Sequence, residues 1–169
     1  MAALFIVTYI FVSIFLRNID SNYLFGIGTA ILFLAGTFVG PLLGVLVGVI
    51  GVISLNLDYG IQHIHFWGLV LYSMVGAFGG LITLDRSYNV FKGRITNFHI
   101  KKIIGFAILF SIYSTFADII TWGYRYGFYV IEGILGRIII SQLITLLTII
   151  IVSVSVLKLI GRTTQKQTT

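Results

Sequence analysis

Apolar residues run along this chain in six long blocks separated by short polar breaks. A helix needs about 20 mostly apolar residues to cross a bilayer, with about 17–25 as the usual range. The blocks at 2–16, 23–39, 41–57, 66–84, 103–122 and 134–157 meet or approach that length. They predict an all-α, polytopic integral membrane protein, a bundle of six transmembrane helices. Residues 1–162 would form one membrane domain, and 163–169 a short polar cytoplasmic tail. The first block starts at Ala2 with no basic residue before Arg17, so it is expected as a retained span and not as a cleaved leader.

The join between the second and third blocks carries a glycine ladder: Gly36, Gly40, Gly44 and Gly48, then Gly51. A single helix over 23–57 would be about 50 Å long at 1.5 Å per residue, too long for a hydrocarbon core of about 30 Å. Gly40-Pro41 offers the break, because proline suits the first turn of a new helix and disfavours helix at the residue before it. A tight hairpin is predicted there, with Gly36 on one helix and Gly44 and Gly48 on the next. Small residues let helix backbones approach closely where lipid removes the hydrophobic drive for association. Gly76, Gly79 and Gly80 with Ala77 extend the theme into the fourth block.

Composition agrees with a lipid solvent. The 169 residues are 58% hydrophobic and only 9% charged, with a mean hydropathy of +1.06, against about 25% charged residues in soluble domains. The absence of cysteine removes disulfides, thiolate metal sites and thiol catalysis. A net charge of +6 could suggest nucleic acid, but these charges sit in short breaks between apolar blocks, where they set topology. No nucleic-acid partner and no cofactor are expected. Arg86, Lys92, Arg94, Lys101, Lys102, Lys158, Arg162 and Lys166, eight of the eleven basic residues, fall on one side of a six-span bundle. The positive-inside rule makes that side cytoplasmic, with both termini there, in the cell membrane.

Two outward segments then pool chemistry. One runs through Asp58, His63, His65 and Trp67, the other through Trp122, Tyr124, Arg125, Tyr126 and Tyr129 to Glu132. Such a mixture suits a pocket that stacks a ring and hydrogen-bonds its polar edge. It equally suits an interfacial belt, where Trp and Tyr collect in any membrane protein. Asp58, His63 and His65 supply imidazole and carboxylate, but no third metal ligand is evident and no metal site is assigned. Asp118 and Arg137 lie near facing ends of the fifth and sixth blocks, and an ion pair between them is the economical expectation. Ser141, Gln142, Thr145 and Thr148 are expected to form interhelical hydrogen bonds. No nucleophile with its base, no phosphate loop and no His-Glu-x-x-His motif occurs, so no enzyme is expected.

The segment Gly40-Pro41-Leu42-Leu43-Gly44-Val45-Leu46-Val47-Gly48, preceded by Ala35-Gly36 and followed by Asp58-Tyr59-Gly60, resembles the substrate-binding S components of energy-coupling factor (ECF) transporters. That family shows a Gly-Pro-x-x-Gly-x-x-x-Gly segment followed by an acidic residue near the outer end of the helix. The resemblance implies a six-span protein that captures a vitamin-like micronutrient from outside. Release would be driven by ATPase subunits and a T-type transmembrane subunit. The small-molecule contacts expected on that basis are Asp58, His63, Trp67, Trp122, Arg125, Tyr126, Glu132 and Arg137. The alternative is a membrane scaffold or sensor acting through helix contacts, since rod-shape-determining proteins and five-span sensory domains share parts of the pattern.

Overall fold

The computed structural model describes residues 1–16, 21–56 and 66–166. Among them the chain is all-helical: α1 (Ala2–Leu16), α2 (Ser21–Val39), α3 (Pro41–Asn56), α4 (Phe66–Gly80), a 3-10 turn (Leu81–Leu84), α5 (Asn97–Tyr126) and α6 (Tyr129–Lys166). Two of these, α5 and α6, are long and apolar enough to cross a membrane, while α1 to α4 are apolar and shorter as described.

The break at Gly40-Pro41 is present. Gly40 sits at φ +90°, a conformation that favours glycine, while its N–H still bonds the Gly36 carbonyl at 2.8 Å. Pro41 then opens α3 at the position where its missing N–H costs nothing. What the ladder does beyond the hairpin involves a third helix. A Cβ on Gly44 would come within 2.5 Å of the Gly76 carbonyl oxygen, and one on Gly36 within 2.6 Å of the Gly80 nitrogen. Gly48 faces the backbone of Tyr72 and Ser73, Gly79 that of Phe33, and Gly80 that of Pro41. Helix α4 therefore lies in the cleft of the α2–α3 hairpin, backbone against backbone. Helix α2 also packs on α1 and α6, which makes it the central helix, and α5 packs on α4 and α6.

Side chains are distributed with small polar groups inside and large apolar groups outside. Ser13, Thr29, Thr37, Ser73, Ser114, Gln142, Thr145 and Ser153 are buried beside Phe33, Val75, Phe110 and Ile149. Val7 and Phe11 on α1, Ile112 and Phe116 on α5, and Leu147 and Ile151 on α6 are exposed. Many of the buried hydroxyls donate to a carbonyl of their own helix, as Thr37 does to Leu34 at 2.7 Å and Thr29 to Gly26 at 2.9 Å.

The last two helices exceed the blocks that predicted them. Helix α5 begins six residues before Ile103, because Thr96 and His99 form a reciprocal cap: the Thr96 hydroxyl accepts from the His99 N–H, and the Thr96 N–H donates to His99 Nδ1 at 3.1 Å. It ends at Gly127, whose φ is +89°. Helix α6 continues to Lys166, past the boundary at 162. Between α4 and α5, Asn89 and Arg94 form an antiparallel bridge that closes a short hairpin. An ion pair and a hydrogen-bond chain hold its base to α5. Lys102 Nζ donates to Asp85 Oδ2 at 2.5 Å, the Ser87 hydroxyl donates to Asp85 Oδ1 at 2.6 Å, and Ser87 Oγ lies 2.9 Å from His99 Nε2.

Candidate functional site

The expected outward contacts divide into three groups. Asp58 and His63 lie outside the described residues, and of Trp67 and Arg125 only the helical backbone is described. The segment 122–126, expected as a loop, is the last turn of α5, because no helix breaker occurs before Gly127. Helical geometry then stacks Trp122 on Tyr126, with ring centroids 5.0 Å apart and planes at 29°. Phe128 folds back over Gly123, where a Cβ would meet the ring. Glu132 is exposed in the first turn of α6, where its charge favours the helix dipole. Arg137 is exposed five residues farther along α6 and, with Ile140, Ser141 and Ile144, lines a cavity of about 380 Å³. Among the described residues no group of three His, Asp or Glu side chains is placed to hold a metal ion.

The ion pair expected between Asp118 and Arg137 does not form. Asp118 Oδ2 instead accepts from Gln142 Nε2 at 2.7 Å, and Gln142 Oε1 accepts from the Ser114 hydroxyl at 2.5 Å. The reason is register. Asp118 and Ser114 are one turn apart on α5, and Gln142 lies on the α6 face turned toward both, whereas Arg137 is on the exposed side. Gln142 and Ser114 are buried, at 3% and 0% exposure. Placed by helix rise, Asp118 is about 12 Å and Gln142 about 20 Å from the adjoining ends of α5 and α6, within the apolar stretches of both helices.

This chain of polar groups extends inward. Tyr72 of α4 lies in the neighbourhood of Asp118, and Tyr9 of α1 in that of Tyr72. The Tyr9 hydroxyl is paired with Ser13, and its ring occupies the space left by Gly28 of α2 and Gly51 of α3. Thr145, one turn beyond Gln142, is buried with its hydroxyl unpaired among the described residues. A carboxylate, an amide and several hydroxyls thus run through the bundle between apolar helices. Most buried polar groups are bonded, so this set is either a lock between helices or a surface that exchanges its bonds for those of a ligand. Ser114 donates to an amide oxygen and not to a base, which leaves it without the activation a nucleophile needs.

Sequence reasoning assigned Gln142 an interhelical bond but missed its partner, because it matched Asp118 to the nearest opposite charge. The usable signal was the rarity of acids and amides within the apolar blocks, where each such residue marks function or a partner. Comparison with protein-family models, with curated proteins and with solved structures finds no match for this chain.

Proposed function

We propose that this protein is the substrate-binding membrane subunit of an ECF-type importer, a six-span S component with both termini cytoplasmic. It would capture a vitamin-like micronutrient from outside and deliver it with ATPase subunits and a T-type transmembrane partner. The observation that carries the reading is the Ser114–Gln142–Asp118 chain within two otherwise apolar helices. Intramembrane ionisable groups are costly and mark pathways and ligand sites by default. The Trp122–Tyr126 stack one to two turns along α5 and the Arg137-lined cavity on α6 support a reading in which solute enters from these helix ends. The glycine-locked α2–α3–α4 unit would serve as the rigid wall against which α5 and α6 move. Native mass spectrometry of the purified protein tests the reading: a small molecule should co-purify, and Asp118→Asn should abolish its retention. Protein that keeps no small molecule and never associates with an ATP-driven module would count against it.

The same glycine contacts favour a second reading, a scaffold or sensor that works through helix contacts. It requires backbone packing and no solute. It therefore predicts that Trp122→Ala combined with Arg125→Ala leaves function intact, whereas the importer reading predicts loss of solute capture.

A further inference from the structure

The hairpin between α4 and α5 stands over a second cavity, of about 140 Å³, lined by Thr37 and Phe38 at the end of α2, Thr83 of the 3-10 turn, and Tyr88 to Phe91. Tyr88 is 7% exposed, and its hydroxyl makes no hydrogen bond of good geometry among the described residues, with the Thr37 hydroxyl as the polar group beside it. The facing Thr37 and Thr83 hydroxyls donate to the carbonyls of Leu34 and Gly80. Burial pushes the Tyr88 phenol above its ordinary range, and the Thr37 hydroxyl draws it partly back, so it stays a neutral donor.

The rim has two characters. Lys92 and Arg94 are exposed on the hairpin, and Arg94 pairs directly across from Asn89, a residue of the cavity wall. The segment from Asp85 to Lys102 carries five basic residues and one acid, and that acid is engaged by Lys102. The other side of the rim is apolar. Phe91 and Leu84 are 60% and 68% exposed, and Phe91 packs edge-on against Phe38, which meets Phe5 of α1. An exposed apolar surface therefore runs from the cavity mouth onto the side of the bundle.

We propose that this cavity takes the phosphate headgroup of an anionic phospholipid from the cytoplasmic leaflet. Tyr88 donates to a phosphate oxygen, Lys92 and Arg94 supply the countercharge, and the acyl chains leave over Phe91 and Leu84. Surplus positive charge beside a polar pocket would suit any phosphate, but only a lipid gives the apolar exit a purpose. The inference rests on the membrane reading and its orientation, and is independent of solute import.

The test is native mass spectrometry of the full chain in detergent with phosphatidylglycerol or phosphatidylcholine added. The wild type should retain phosphatidylglycerol in preference. Tyr88→Phe should cut that retention by about tenfold, as for one hydrogen bond to a charged group, with little change in melting temperature, since the neighbouring Thr37 hydroxyl keeps its own bond to Leu34. Lys92→Gln with Arg94→Gln should cut it by about thirtyfold, and Arg86→Gln, which neither adjoins nor pairs with a residue of the cavity wall, by much less. Equal retention of the two lipids overturns the proposal. So does an Arg86→Gln effect as large as the double variant's, or displacement of the lipid by inorganic phosphate. None of these outcomes depends on whether a solute co-purifies.

Discussion

Gln142 on α6 bonds two successive turns of α5 at once, donating to Asp118 at 2.7 Å and accepting from Ser114 at 2.5 Å. One amide thereby sets both the rotation and the height of the two longest helices relative to each other. The same bonds hold the half-buried Asp118 carboxylate in a fixed position. Structure and candidate chemistry meet in this one side chain.

Separating the two roles requires substitutions that keep the bonds and change the charge. Asp118→Asn still offers Gln142 an acceptor, so its melting temperature in detergent should stay near that of the wild type. Asp118→Ala leaves the Gln142 amide donor unpaired inside the bundle, at a cost of about 1–3 kcal/mol. Both should lose a solute recognised by the carboxylate. If Asp118→Asn retained solute as the wild type does, the carboxylate would be a structural lock alone.

The three-helix glycine contact makes a sharper prediction about stability. A Cβ on Gly76 would enter the backbone of Gly44, and no rotamer change can relieve a contact between main chains. Gly76→Ala should therefore destabilise by about 3 kcal/mol or more, at or beyond the upper end of ordinary overpacking. Gly68 and Gly105 have nothing within 4 Å of an added Cβ, so alanine at either should be neutral or gain about 0.5–1 kcal/mol from helix propensity. Thermal melts of the three variants in one detergent check the ordering.

These sites show where the chain was legible. Helix α1 occupies the block at 2–16, and the hairpin at Gly40-Pro41 follows from the opposite preferences of those two residues. The insertion of α4 was not legible, because a glycine at spacing four shows that something packs closely and not which helix does. The start of α5 was missed because His99, Lys101 and Lys102 carry no apolar signal, and a histidine completes the cap where Glu or Gln is the usual mark. The last turn of α5 was taken for a loop because its residues are aromatic and polar, although Gly123 stays helical there and the chain turns only at Gly127. Asp118 found an amide and not a cation because helix register outweighs charge type at a given depth.

Acid should loosen the loop between α4 and α5. Lys102, then the Ser87 hydroxyl and the Ser87 N–H, hold the Asp85 carboxyl well below the usual carboxylate range. A depressed value contributes stability that is complete above the ordinary carboxylate pKa of about 4 and is lost as pH falls below it. The melting temperature should thus be insensitive to Asp85 near neutrality and fall with acidification below about pH 4. Lys102→Gln removes the largest cause of the depression, so its acid limb should be shallower than that of the wild type. Parallel acid limbs in the two proteins would contradict the assignment.

The cap of α5 gives a test that isolates one histidine. The Thr96 N–H reaches the Nδ1 of His99, which must therefore be an acceptor, and the opposite nitrogen faces Ser87. Glutamine presents an acceptor at the same place in the ordinary form of this cap, so His99→Gln should keep the start of α5 ordered. His99→Leu removes the acceptor and should cost about 1 kcal/mol, as should Thr96→Ala. Because the two residues cap each other, their losses should not add: Thr96→Ala should cost clearly less in the His99→Leu background than alone. Hydrogen exchange at the first turn of α5, measured for the two single variants and the double, reads this coupling directly. Additive losses would assign His99 its role through packing on Tyr88, which it meets edge-on at 5.4 Å, and not through the cap.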